Sequence, residues 1–129
     1  MDLAEFKFMK PLTAFTENTI KTVLKIPKGR VATYSQIAGL AGKPQASRGV
    51  SWILHSCSKA YNLPWHRVLN AKGQISFPKS SRYYKTQKQL LEKEGVRFDD
   101  KGQIDMKRFQ WKKQASQKRT LKKTPTMFG

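Results

Sequence analysis

A chain of 129 residues has room for one domain and one hydrophobic core, and a composition that is 38% hydrophobic and 11% aromatic supplies the material to fill it. Lys and Arg number 26 against 8 Asp and Glu, a net charge of +18, which makes nucleic acid the leading partner. A lone Cys57 excludes an internal disulfide and a multi-cysteine metal site, and His55 and His66 are too few for a metal cluster, so no metal and no cofactor are expected.

The charge is distributed through the fold. No acidic residue stands between Glu17 and Glu92, while thirteen Lys or Arg do. Self-repulsion on that scale is relieved when a polyanion neutralises it. No apolar run approaches the ~20 residues of a membrane span, and no long helix joins a basic face to a continuous apolar one. The opening Met1-Asp2-Leu3-Ala4-Glu5 has no basic-then-apolar pattern of a signal peptide. A reducing, cytoplasmic setting is expected, on the nucleoid in a bacterium or in the nucleus of a eukaryote.

In chain order, residues 1–10 read as a lead-in. Leu12, Phe15, Ile20, Val23 and Leu24 recur at helical spacing over Thr13 to Ile26, with Thr13 as a possible N-cap and Pro27-Lys28-Gly29 as the stop. Val31-Ala32-Thr33 is short and extended. Tyr34 to Gly42 reads as a brief helix with a hydroxyl cap, and a second helix runs from about Gln45 to Ser56. Two short helices joined through a glycine-containing turn are a helix-turn-helix signal.

The second of these helices divides into two faces. Val50, Ile53, Leu54 and Cys57 form one apolar stripe, while Arg48, Trp52 and His55 share another, beside Ser47, Gly49 and Ser51. Small residues next to an arginine suit a helix that approaches another backbone closely, and ordinary packing against a neighbouring element explains them as well.

Leu63 to Leu69, a turn at Asn70-Ala71-Lys72-Gly73 and Gln74 to Phe77 read as a small β-hairpin or strand-loop-strand. A basic helix over about Ser81 to Glu94 is closed by Gly95. The expected fold is mainly α with that small β-hairpin, a winged helix-turn-helix-like domain over residues 1–111. Residues 112–129 carry Lys112, Lys113, Lys118, Arg119, Lys122 and Lys123 and no acid, and read as a disordered basic tail.

Four ordered segments carry a family resemblance: Ile26 to Ala38, Gly42 to Val50, Pro64-Trp65-His66-Arg67-Val68, and Leu90 to Gly95. Together they resemble the DNA-binding and active-site domain of the O6-alkylguanine-DNA alkyltransferases over about residues 12–98. That family's signature is Pro-Cys-His-Arg-Val, whose cysteine takes the alkyl group from guanine. Here Trp65 holds the cysteine's place, a pattern similar to the alkyltransferase-like branch, which binds the lesion and hands it to nucleotide excision repair. An indole offers no thiolate, so the resemblance implies no enzymatic activity.

The resemblance also implies roles for single residues. Tyr34 would turn the target nucleotide out, and Arg48 would fill the vacated stack. Tyr34, Leu54, Trp65, His66, Val68, Ser76 and Lys79 would line the lesion pocket, with Arg67 and Glu94 supporting it. Tyr34, Ser35, Ala46, Ser47, Arg48, Gly49, Ser51 and Lys72 would contact DNA, the helix entering the minor groove. Double-stranded DNA containing O6-alkylguanine and excision-repair proteins are the expected partners of a monomer. Where some alkyltransferase-like proteins place a lip arginine this chain has Pro78, with Lys79 and Arg82 nearby. Two other readings stay open: an active transferase with another nucleophile, such as Cys57, and a basic winged-helix protein with no lesion preference.

Overall fold

The computed structural model describes residues 12–112. The elements run α1 (Ala14–Leu24), β1 (Ala32–Thr33), α2 (Tyr34–Leu40), α3 (Ser47–Tyr61), a single 3-10 turn (Trp65–Arg67), β2 (Val68–Leu69), α4 (Arg82–Lys93) and α5 (Met106–Phe109). The expected lead-in falls outside the described residues, as does the expected tail apart from Lys112.

The helices begin where short polar side chains can take up free backbone donors. Thr13 accepts from the Thr16 N–H at 3.1 Å, and Ser81 accepts from the Tyr83 N–H at 3.0 Å. Thr33 and Gln36 form a reciprocal capping box at the start of α2. Each such cap is worth about 1 kcal/mol. The exception is α3, whose N-cap Ala46 has no side chain that can accept.

Helices α1, α2 and α3 close around one apolar cluster that contains Ile20, Val23, Ile37, Val50, Ile53, Leu54 and Cys57. The stripe expected on α3 is buried in full. The helix itself runs further than its sequence pattern predicts, to Tyr61 instead of Ser56, and ends on Asn62 in the left-handed region at φ 53°. Asn tolerates that conformation better than most residues, so the stop signal lies in a polar side chain beyond the apolar pattern.

The small sheet is real, but its pairing is not a hairpin. Strand β2 pairs in parallel with β1, Ala32 opposite Val68 and Thr33 opposite Leu69. The expected turn does form at Asn70–Gly73, with the Asn70 Oδ1 accepting from the Lys72 and Gln74 N–H groups at 2.9 and 3.1 Å. Beyond it, however, Gln74 bridges to Gln103 instead of running back along β2. On the other edge of β1, Val31 donates to the Phe109 carbonyl at 2.9 Å and accepts from the Trp111 N–H at 2.7 Å. A second cluster of Val31, Leu69, Ile75, Leu91, Val96, Ile104 and Phe109 lies under α4 and α5. The two-stranded sheet thus stands between both clusters, and its parallel register sets Tyr34, just after β1, level with Asn70, where β2 leads into the 70–73 turn.

Candidate nucleic-acid interface

The 3-10 turn is held in place by groups from three other parts of the chain. Arg67 donates twice to one carboxylate, Nε to Glu94 Oε1 at 3.0 Å and a terminal nitrogen to Oε2 at 2.8 Å. Its other terminal nitrogen donates to the Ile26 carbonyl at 2.8 Å. His66 Nε2 stands 2.9 Å from Glu94 Oε2, and the Gly29 N–H donates to Oε1 at 3.3 Å. Gly29 has φ +85°, and a Cβ there would come within 3.3 Å of the Glu94 carbonyl oxygen, so the close approach favours glycine.

Burial pushes the Glu94 carboxyl upward, but Arg67, His66 and the Gly29 N–H outweigh it and bring the pKa down to about 2. The carboxylate is therefore ionised and can only accept. His66 must carry its proton on Nε2, which leaves Nδ1 as the ring's remaining nitrogen. Arg67 and Glu94 side chains are only 15% and 10% exposed, so this is a partly desolvated, bidentate pair and not a surface bridge.

From the other side, the amide of buried Gln87 on α4 donates to the carbonyls of both His66 and Val68 at 3.1 Å. Sequence reasoning passed over Gln87. Its signal was position, since it lies on the same face of α4 as Tyr84 and Leu91, where a polar residue needs an internal partner.

Trp65 opens the turn half-buried, packed against the first cluster together with Tyr34. Its indole meets the His66 ring edge-on at 6.3 Å and the Phe77 ring edge-on at 6.2 Å, and Phe77 in turn stacks on Tyr83 at 5.3 Å. Leu54 and Val68 are buried behind this group. Tyr34 is half-buried, which raises its hydroxyl pKa, while a hydrogen bond with Ser76 works in the opposite direction. Tyr34 and Trp65 thus pack on the cluster that holds Leu54 and Val68, Trp65 meets His66 and Phe77, Tyr34 meets Ser76, and Phe77 stacks on Tyr83. Lys79 stands apart: it is exposed, and its Cε lies 4.0 Å from where a Cβ on Gly102 would be. Cys57 is buried at 4% exposure, and burial pushes its thiol pKa up.

The residues singled out for DNA contact sit mainly at the start of α3. Arg48 and Ser51 are exposed, Ala46 and Ser47 half-buried, and Arg48 has no ion pair among the described residues. The first internal bond of α3 runs from the Val50 N–H to the Ala46 carbonyl at 3.1 Å. The N–H groups of Ser47, Arg48 and Gly49 consequently face outward at the positive end of the helix. At Gly49 an internal reason for small size is visible, because a Cβ would meet the Phe15 ring at 3.2 Å. Ser35 on α2 and Lys72 on the 70–73 turn are both exposed.

A sequence model of the DNA binding domain of 6-O-methylguanine DNA methyltransferase matches residues 14–96. The chain belongs to that family. Among its relatives, a DNA base-flipping protein of Escherichia coli is 39% identical over 103 residues, 80% of this chain and 78% of the relative. Alkyltransferase-like protein 1 of Schizosaccharomyces pombe is 38% identical over 82 residues, 64% of this chain and 76% of the relative. The crystal structure of S. pombe Atl1 in complex with damaged DNA containing O6-carboxymethylguanine superposes with a TM-score of 0.65 at 33% identity, covering 75% of this chain and 94% of that one. The fold class expected from the sequence is thereby borne out, and the matched span holds the Trp65–Arg67 turn, Glu94 and the whole of α3.

Proposed function

We propose that this protein is a non-catalytic sensor of O6-alkylguanine in duplex DNA, which turns the altered base into the Trp65 pocket, leaves the alkyl group in place and flags the site for nucleotide excision repair. The observation that carries the reading is the make-up of the Trp65–Arg67 turn and its partners. The Arg67–Glu94–His66 cluster is intact, yet the residue beside it is a tryptophan, and the chain's single thiol lies in the core. Dealkylation needs a thiolate within about 3–3.5 Å of the alkyl carbon, on the line of attack. A buried thiol with a raised pKa meets neither requirement. The names of the relatives, a base-flipping protein and an alkyltransferase-like protein, and the Atl1 complex with damaged DNA support the same reading.

In this reading α3 enters the minor groove, where readout is nearly blind to sequence, as a search for damage at any position requires. Affinity then comes largely from phosphates, supplied by the acid-free stretch between Glu17 and Glu92. Turning the base out costs roughly a few kcal/mol. Tyr34 crowds the target nucleotide, Arg48 fills the gap it leaves, and Trp65 gives the base an aromatic surface worth about 1–3 kcal/mol. The protein acts as a monomer in a reducing cytoplasmic or nuclear compartment.

The test is a binding titration on matched duplexes with and without O6-methylguanine, with the intact mass of the protein followed in the same samples. Tighter binding to the damaged duplex with no added alkyl mass is expected. Stoichiometric alkylation of the protein overturns the non-catalytic claim, and equal affinity for both duplexes overturns the sensor.

A further inference from the structure

Trp52 is 68% exposed, the most exposed of the large hydrophobic side chains in the described residues. It lies one turn beyond Arg48 on α3, and at about 100° per residue Arg48, Trp52 and His55 fall within a narrow sector of the helix surface. That sector points away from the buried Val50, Ile53, Leu54 and Cys57. The His55 ring lies 5.9 Å from the indole, tilted by 33°, and so backs it from one side. The ring stands beside Arg48 on an otherwise polar helix face, where an outside partner can reach it.

Resting on the reading of α3 as the DNA-contacting helix, we propose that Trp52 packs against the deoxyribose–phosphate wall of the groove that α3 occupies, one turn along from Arg48. The occupant follows from charge and continuity. Helix α3 holds no acidic residue and carries Arg48 and Lys59, so the patch is set in positive surface that a polyanion complements. Groove width then decides where the ring goes. With α3 filling the groove no room is left on its floor for an indole, so the ring lies along the wall, apolar face on the sugar and Nε1–H toward a phosphate oxygen. Such a contact is indifferent to the base that has been turned out. Trp52 thus serves affinity for duplex in general, whereas the Trp65 pocket serves discrimination.

Two measurements on the full-length protein test this. Trp52→Ala is expected to weaken binding to damaged and undamaged duplex alike by about 5–10-fold, with Trp52→Phe keeping most of the affinity. The salt dependence should be nearly unchanged in both variants, because no charge is removed. In parallel, acrylamide quenching of the wild-type protein and Trp52→Phe isolates the Trp52 emission by difference. That emission should be freely quenched in the unbound protein and shielded when duplex is saturating. Wild-type affinity in Trp52→Ala, or a Trp52 that stays quenchable on saturating DNA, overturns the proposal and leaves the face to a protein partner. A loss confined to damaged duplex also overturns it, since Trp52 would then belong to lesion recognition. If wild-type protein binds both duplexes equally but Trp52→Ala weakens both, the sensor reading has failed and this one has not.

Discussion

On the outward face of α3, Arg48, Ser51, Trp52 and His55 are held only by their helix, and their side chains stand in solvent. The Trp65–Arg67 turn, by contrast, is tied down from several sides: Arg67 makes three hydrogen bonds, Glu94 accepts from three residues, and Gln87 holds two carbonyls. The first region is open to meet something outside the molecule, whereas the second is fixed in place by partners within it. That contrast gives the turn a reason to keep its shape with a tryptophan at position 65. Glu94 holds the turn through Arg67 and Gly29 whether or not His66 has a nucleophile to activate, so the cluster has a structural reason to persist beside a tryptophan.

The largest expected effect comes from breaking the locked region. Glu94→Ala leaves Arg67 partly buried with its principal partner gone, and removing one member of such a pair costs about 3–5 kcal/mol. Chemical denaturation should show a loss of that order, while Arg48→Ala, on the open face, should leave stability within about 0.5 kcal/mol of wild type. The Glu94 pKa of about 2 lies below its ordinary 4.5, so the stabilisation is complete above about pH 4.5 and fades as the pH falls toward 2. Glu94→Gln should therefore show a flatter stability profile than wild type between those pH values. Parallel profiles for the two proteins would mean that Glu94 is not held as the geometry indicates.

Next in size is the effect of breaking the open region, read in binding instead of stability. Arg48→Ala should reduce affinity for a fully paired damaged duplex by about 10-fold or more, on the scale of the few kcal/mol that extrusion costs. The loss should shrink when the lesion lies in a mismatch, where the base is easier to turn out. An equal loss on paired and mismatched duplexes would make Arg48 an ordinary phosphate contact.

The same division decides what could be read from the sequence. Helix starts were legible because Thr13 and Ser81 cap locally, and the α3 core face because its period is local too. The parallel pairing of Val68–Leu69 with Ala32–Thr33 was not, because the partner strand lies two helices upstream and leaves no turn signal between them. Within the site, motif residues such as Tyr34, Trp65 and Glu94 were found through resemblance. Gln87 and the Phe77–Tyr83 stack were missed, since their roles depend on α4 folding back over the turn.

The smallest expected effect is also the sharpest test of the fixed turn. Trp65→Cys restores the Pro-Cys-His-Arg-Val signature next to His66 and Glu94, and a reading based on motif alone would expect transfer to return. The geometry argues otherwise. The indole bridges His66 at 6.3 Å and Phe77 at 6.2 Å, so replacing it with a much smaller side chain leaves the pocket wide and both neighbouring rings without their shared contact. His66 already commits Nε2 to Glu94, so Nδ1 is the ring nitrogen left to take a proton from a thiol. A base seated loosely in a widened pocket misses the 3–3.5 Å approach that displacement needs. The variant should fold, bind undamaged duplex as wild type does, and lose part of its preference for O6-methylguanine, much as Trp65→Ala should. Intact-mass measurement after long incubation with damaged duplex should show little or no added methyl. Rapid stoichiometric methylation of Trp65→Cys would instead mean that the pocket keeps transferase geometry, with the tryptophan doing no more than block it.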